Sequence, residues 1–279
     1  MYDLVERIDN SIIQHGPFND RIYLMNLDDN DYPDIFKRLD SLAEKKGYSK
    51  IFTKIPKWAS DKAKDFNYTI EAVIPGFFNN SIDAYFMSKF LSEKRNIITV
   101  ETKEEIEKVK EKFNHYKNAN KQVVEPDNFF ITRLSQNNIR SLAHLYNTVF
   151  TSYPFPIQDE DYLRKMMLED VNYYGIFLND KLVAASAAEI DRKNKNVEMT
   201  DFATFPDYRG NDFALILLSF MEEKMQKEGM KTSYTIARAK SYGMNLTFAK
   251  RNYNFAGLLI NNTNISGSIE NMNVLYKKI

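Results

Sequence analysis

The sequence predicts an α/β (α+β) chain in two units: a smaller α/β unit, then one built on a mixed, mostly antiparallel sheet flanked by helices. Three observations carry this. The hydrophobic pattern switches repeatedly between the period of a strand and that of a helix. In the second unit three strand patterns follow one another directly before strand and helix begin to alternate, which implies an antiparallel meander joined to α/β crossovers. At 279 residues the chain exceeds one typical domain, and the polar run Asn118-Ala119-Asn120-Lys121-Gln122, with Pro126 beyond it, reads as a linker. The expected units are 1–122 and 123–279.

In the first unit Arg21 to Leu27 reads as a strand. Tyr32 to Lys46 carries Ile35, Phe36, Leu39, Leu42 and Ala43 at helical spacing, and Gly47 closes it. A strand follows at Ile51 to Ile55, a short helix at Trp58 to Phe66, and strands at Thr69 to Phe77 and Asp83 to Leu91. Thr102 with Glu105 forms a capping box ahead of Ile106, Val109 and Phe113, so a helix with a solvated, charged outer face is expected from Thr102 to Asn118.

In the second unit Phe129 to Leu134 is a strand and Asn137 to Phe150 a helix. The loop Tyr153-Pro154-Phe155-Pro156 precedes a helix at Glu160 to Leu168. Strands are expected at Tyr173 to Leu178, Leu182 to Ile190 and Val197 to Phe205, joined by turns at Asn179-Asp180 and Lys193 to Asn196. A helix from Asn211 to Lys227, a strand from Thr232 to Ala237, a helix from Met244 to Lys250 and strands at Tyr253 to Ile260 and Met272 to Lys277 complete the order.

Composition removes several functions. Basic and acidic residues balance at 38 each, so no net field draws nucleic acid. With no cysteine there is no disulfide, thiolate metal site or Cys nucleophile. His15, His115 and His144 lack ligand spacing, so no metal is expected. The N-terminus has no basic region followed by an apolar run, and no stretch approaches the ~20 apolar residues of a membrane span. The expectation is a soluble cytoplasmic protein without a membrane partner.

A helix N-terminus presents unpaired amides, and a small-residue turn lets a phosphate approach them. Arg209-Gly210-Asn211-Asp212-Phe213-Ala214 has that build, though an ordinary β-α turn uses the same residues. With the strand before it, Phe202-Ala203-Thr204-Phe205-Pro206-Asp207-Tyr208-Arg209-Gly210 resembles the strand-Pro-x-Tyr-Arg-Gly signature of the GNAT N-acetyltransferase superfamily, whose element order matches the second unit. The resemblance implies acetyl-CoA as co-substrate. It implies that the backbone of Ala203 and Thr204 pairs with the pantetheine arm while Arg209, Gly210, Asn211, Asp212, Phe213 and Ala214 cradle the pyrophosphate. Asp212 stands where the family has glycine; its carboxylate must point away from the phosphates, and it also suits the first turn of a helix.

Acyl transfer to an amine needs the amine neutral, the thioester carbonyl polarised and the leaving thiolate stabilised. The family does this directly in a ternary complex. Glu198 matches its general-base position, and strand alternation puts Glu198, Thr200, Phe202 and Thr204 on one face and Asp201 on the other. Asp201 is the alternative base, and Glu189 and Asp191 are candidates to hold a cationic acceptor. The family's leaving-group tyrosine is replaced by Phe248, on the coenzyme side, leaving Tyr242 or water as proton donor.

Tyr234 to Ala239, Gly243-Met244-Asn245, Asn261 to Gly267 and Ile269 to Lys277 resemble the β-lysine N6-acetyltransferases, as do Ile70 to Phe78 and Asp83 to Lys89 of the first unit. The likeness spans nearly the whole chain. It implies acetylation of the terminal amine of (3S)-3,6-diaminohexanoate to give a neutral compatible solute. That acceptor's carboxylate and two ammonium groups require a cation and an acid in the pocket. Arg238, Asn245, Asn262, Glu270 and Asn273 are polar candidates beside Glu189 and Asp201, with Tyr153 and Phe155 as walls. A different small amine, a polyamine, a protein lysine, or a lapsed coenzyme-binding module remain alternatives, and a homodimer is left open. Lys64 to Ala72 also resembles Lys250 to Ala256, each leading into a strand, so residues 20–92 are expected to be a degenerate half of the same fold without the Arg-Gly loop.

Overall fold

A computed structural model describes residues 2–117 and 129–279; the linker at 118–122, Pro126 and the division after residue 122 lie outside the described residues. The chain opens with a hairpin the apolar pattern does not announce, β1 (Leu4–Ile8) and β2 (Ser11–Gly16), because β1 is exposed along nearly its whole length. β3 (Arg21–Asn26), α1 (Ile35–Lys46), β4 (Lys50–Pro56), α2 (Ser60–Asp65), β5 (Thr69–Phe78) and β6 (Ile82–Phe90) follow where the periodicity puts them. α1 buries Ile35, Phe36, Leu39 and Ala43, and Gly47 ends it at φ 72°, a conformation that costs glycine little. α3 (Val100–Tyr116) starts earlier than expected, because Thr99 rather than Thr102 is the N-cap and accepts from the Thr102 N–H.

The second half comprises β7 (Phe129–Arg133), α4 (Ile139–Val149), α5 (Glu160–Leu168), β8 (Val171–Leu178), β9 (Lys181–Asp191) and β10 (Asn196–Thr204). α6 (Phe213–Lys227), β11 (Thr232–Arg238), α7 (Tyr242–Lys250), β12 (Asn254–Ile265) and β13 (Ser268–Lys278) complete it. The last two strands differ most from expectation. The Asn-rich stretch between them is not a loop; it forms the end of one long hairpin that turns at Ser266-Gly267. Asparagine has low strand propensity, but here side chains supply the missing pairings: the Asn261 N–H donates to Asn271 Oδ1 and the Asn264 N–H to Asn19 Oδ1.

All strands join one 13-stranded sheet in the order β1-β2-β3-β4-β6-β5-β12-β13-β11-β10-β9-β8-β7. β3 is parallel to β4, β4 antiparallel to β6, and β6 to β5. In the same way β10 is parallel to β11, β11 antiparallel to β13, and β13 to β12. The run β2 to β6 therefore repeats the run β9 to β13, helix for helix, and the two meet at β5 and β12. At that seam Gly257 faces Ala72, and a Cβ on Gly257 would lie 2.1 Å from Glu71 O. Beside it the buried Lys50 and Glu71 pair at 3.1 Å, and Glu71 also accepts from the Ile260 N–H at 2.6 Å.

Each half has its own core under its helices, Ile22, Leu24, Phe36 and Leu39 in the first, Val197, Met199, Leu217 and Met221 in the second. A further cluster, including Phe52, Phe77, Phe86, Tyr234 and Met272, joins the two. Five strand steps separate β4 from β11, roughly 24 Å in a flat sheet at ~4.8 Å per step. Yet Lys54 Nζ lies 3.1 Å from the Tyr234 hydroxyl. The sheet therefore curls, bringing β3 and β4 over β9, β10 and β11.

Candidate active site

β10 and β11 pair only through Asn196–Glu198 and Thr232–Tyr234. Beyond Glu198 they diverge, opening a cavity of about 640 Å³, within the usual range of ligand sites. Thr204, Arg209, Gly210, Asp212, Phe213 and Ala214 line one side of it and Thr235 to Arg238 the other. The first amide bonded into α6 is that of Leu215, to Asp212 O, so the amides of Phe213 and Ala214 stay outside the helical ladder at its N-terminus. Gly210 at φ 89° makes the turn. Asp212 Oδ1 lies 3.5 Å from Lys250 Nζ, so its charge meets a cation on the cavity wall. With Arg209 and Arg238 that wall carries three cations beside a helix N-terminus, which suits a phosphorylated ligand.

A second cavity of about 120 Å³ opens off the first and shares Tyr153, Thr200, Asp201, Ile236, Ile265 and Met272 with it. Its own lining adds Glu189 and Glu198 from the second half and Arg21, Tyr23, Phe52 and Lys54 from the first. A register shift between Thr200 and Ala203, with Asp201 in the left-handed region at φ 55°, breaks the alternation of β10. Asp201 consequently joins Glu198 and Thr200 in this pocket, which corrects the expectation that it faces away. Its carboxylate accepts from the Tyr153 hydroxyl and from Thr200 Oγ1 at 3.2 Å.

Glu189 and Glu198 stand directly opposite each other on β9 and β10. Burial, reinforced by repulsion from Glu198 and Asp201, pushes the Glu189 carboxyl up to about 8. Burial also raises Glu198, against the opposing pull of Lys54. Asp201 is raised to about 6 by burial, with the hydrogen bonds from Tyr153 and Thr200 limiting the rise. Burial works against the Lys54 ammonium, but Tyr23 and Glu198 outweigh it and hold that group above the ordinary lysine range. The arrangement can bind a cationic amine, take a proton from it at near-neutral pH, and hand the nitrogen across to the larger cavity.

The expected residues divide accordingly. Glu189, Glu198, Asp201, Tyr153, Phe155 and Asn262 line the smaller pocket. Arg238 lines the larger one instead. Asn245 and Asn273 are buried and spent on structure: Asn273 Nδ2 donates to Asn245 Oδ1 at 2.8 Å, and Asn245 Nδ2 to the carbonyls of Arg238 and Ser241, tying α7 to β13. Glu270 sits near the hairpin end with Ser268 and reaches neither cavity. Tyr242 opens α7 and turns its ring to Lys112 of α3, outside both cavities. Phe248 is fully buried, edge-on to Phe202 and Tyr253, and does not line the coenzyme-side cavity. Ala203 packs into the core under α4, and exposed Asn211 bonds back to the Tyr208 carbonyl.

Arg21, Tyr23 and Lys54 were missed. Arg21, Tyr23 and Met25 occupy alternate positions of β3, as do Phe52 and Lys54 of β4, so a shared face was readable. What covered that face was not, because it lies far along the chain. Among the described residues no group of three or more His, Cys, Asp and Glu is placed to hold a metal ion, and no helix is long and apolar enough to cross a membrane.

Comparison with known proteins adds three relatives and a family. The profile of the Acetyltransferase (GNAT) family matches residues 139–245. The chain is 39% identical over 272 residues, 97% of both chains, to the β-lysine N(6)-acetyltransferase of Methanococcus maripaludis. It is 29% identical to the N-acetyltransferase YodP of Bacillus subtilis, over 96% of both chains. A β-lysine N(6)-acetyltransferase of Methanosarcina mazei is 26% identical, over 87% of this chain and 96% of that one.

Proposed function

The chain belongs to the β-lysine N(6)-acetyltransferases within the GNAT family, and from that membership we propose that it moves the acetyl group of acetyl-CoA to the terminal amine of β-lysine. The observation that carries this reading is the pair of cavities meeting at Tyr153, Thr200 and Asp201. With its carboxylates ionised, the smaller one holds three acids against Arg21 and Lys54, one negative charge in excess. β-Lysine, with two ammonium groups and one carboxylate, carries one positive charge. The larger cavity fits the co-substrate through Arg209, Arg238, Lys250 and the amides opening α6.

Acetyl-CoA supplies an activated acyl group; the chain's residues orient and deprotonate the acceptor. Glu189 and Glu198 hold the ammonium groups. Asp201, the one carboxylate of the three to line both cavities, takes the proton from the attacking nitrogen. The nitrogen bonds to the acetyl carbon as the carbon–sulfur bond breaks, and the thiolate departs into the larger cavity. Tyr153, whose hydroxyl meets Asp201 and which lines the larger cavity as Tyr242 does not, takes the place of Tyr242 as the proton donor to the thiolate.

The experiment is to mix protein, acetyl-CoA and β-lysine, follow free thiol, and locate the acetyl group on the product by mass spectrometry. Thiol release with acetylation at N6 is expected. Turnover of a polyamine or a peptide lysine in place of β-lysine would overturn the acceptor, and coenzyme binding without turnover of any amine would favour a lapsed module.

A further inference from the structure

The proposed acceptor brings a carboxylate that must be met by a cation. Among the described residues the second half gives the smaller pocket none: no lysine or arginine from it lines that pocket. Both cations of the smaller pocket, Arg21 and Lys54, come from the first half. Lys54 is committed to the Tyr234 hydroxyl at 3.1 Å and lies in the field of Glu198.

Arg21 is different. It is only 4% exposed, and both of its side-chain hydrogen bonds among the described residues leave from Nη1, to Asn262 O and, at 3.1 Å, to Thr263 Oγ1. Its Nε is buried without a partner. The rings of Tyr23 and Phe52, 5.4 and 5.6 Å from the guanidinium carbon, fix the plane of the group. An orphaned buried donor is costly, and a guanidinium edge matches a carboxylate in two parallel hydrogen bonds. Arg21 lines only the smaller pocket, whereas Asp201 lines both. A linear amino acid anchored at Arg21 thus directs its far amine toward the thioester.

Resting on the proposed function, we infer that Arg21 binds the carboxylate of the acceptor, so that the coenzyme-free first half selects aminocarboxylates over plain diamines. The test compares β-lysine with 1,4-diaminopentane, the same molecule without its carboxylate, in wild type, Arg21→Met and Arg21→Lys. Arg21→Met is expected to lower kcat/KM for β-lysine on the order of 10- to 100-fold, mostly through KM. Arg21→Lys recovers part of this, the diamine changes less than threefold by the same reasoning, and the Kd for acetyl-CoA stays at the wild-type value in both variants.

Equal losses on both acceptors with intact acetyl-CoA binding would make Arg21 a structural residue and overturn the inference, as would an unchanged KM for β-lysine. Should Arg21→Met not fold, Arg21→Lys decides alone by the same two acceptors. Wild type that does not acetylate β-lysine removes the proposed function itself, an outcome distinct from wild-type turnover that is indifferent to Arg21.

Discussion

The loop after β10 and the loop after β3 hold equivalent places in two halves of one topology, yet their chemistry is opposed. The first reads Phe205-Pro206-Asp207-Tyr208-Arg209-Gly210-Asn211-Asp212, with two acids, of which Asp212 faces Lys250. The second reads Asp28-Asp29-Asn30-Asp31-Tyr32-Pro33-Asp34. Asp31 there is buried and accepts hydrogen bonds from the N–H and hydroxyl of Ser11 and from Asn10, stitching the loop to β2. A pyrophosphate approaching α1 would meet four carboxylates. The strands differ less: β3 and β4 pair from Arg21 to Leu24, one position further than β10 and β11, which part after Glu198 and open the larger cavity. A helix N-terminus behind a parallel strand is therefore only the frame of a coenzyme site; the charge of the loop and the cavity it lines make it one. We read the first half as a degenerate copy that kept the frame, lost the loop and lends its strand faces to the acceptor pocket.

If chemistry belongs to the second half alone, the largest effect should come from Asp201. Asp201→Asn is expected to lower kcat by ~10²- to 10⁴-fold with the Kd for acetyl-CoA unchanged. Wild-type activity should rise with pH through about 6, where Asp201 loses its proton, and the variant should lack that limb. A limb that survives in Asp201→Asn and disappears in Glu198→Gln would return the base to Glu198.

A smaller effect tests the loops against each other. Arg209→Asp gives the loop after β10 an acidity like that of the loop after β3, and calorimetry should find acetyl-CoA binding weakened by about tenfold or more. Asp29→Arg in the first half should create no coenzyme site, because Asp28, Asp31 and Asp34 remain in the loop. Binding of a second coenzyme per chain in that variant would break the comparison.

Much of the second half was legible because its signals are local. Periodicity places β8 to β11 and α6 within a few residues, and the Arg-Gly turn lies where the cavity opens. The failures have physical reasons. β1 has no apolar period to read, being solvated, and the Asn-rich hairpin hides because its stabilising partners, Asn19 and Asn271 among them, are side chains in other segments. Alternation predicts the wrong face for Asp201 because a bulge erases it without leaving a sequence mark. Arg21 and Lys54 could not be assigned to the acceptor pocket because only the curl of the sheet carries them there.

The smallest expected effect concerns the charge balance between the halves, three acids from the second against the Lys54 and Arg21 of the first. The Glu189 carboxyl is raised from 4.5 to about 8, so the folded chain binds this proton more tightly than the unfolded chain does. Its contribution to stability is complete below about 4.5 and is lost as pH rises through about 8. Asp201 has the same sign in a lower window, between 3.8 and about 6. Glu198, also raised by burial, adds to Glu189, and the buried Lys50, lowered to about 7, acts with the opposite sign above that pH. Glu189 is isolated by the difference between wild type and Glu189→Gln. Between about pH 6 and 8 the ligand-free Tm of wild type should therefore fall by a few degrees more than that of Glu189→Gln, which keeps the neutral form. A cationic acceptor favours the ionised carboxylate, so the Tm gained from β-lysine should grow over the same interval in wild type and not in the variant. Parallel curves for the two proteins, with and without acceptor, would mean that Glu189 does not share the charge of the pocket.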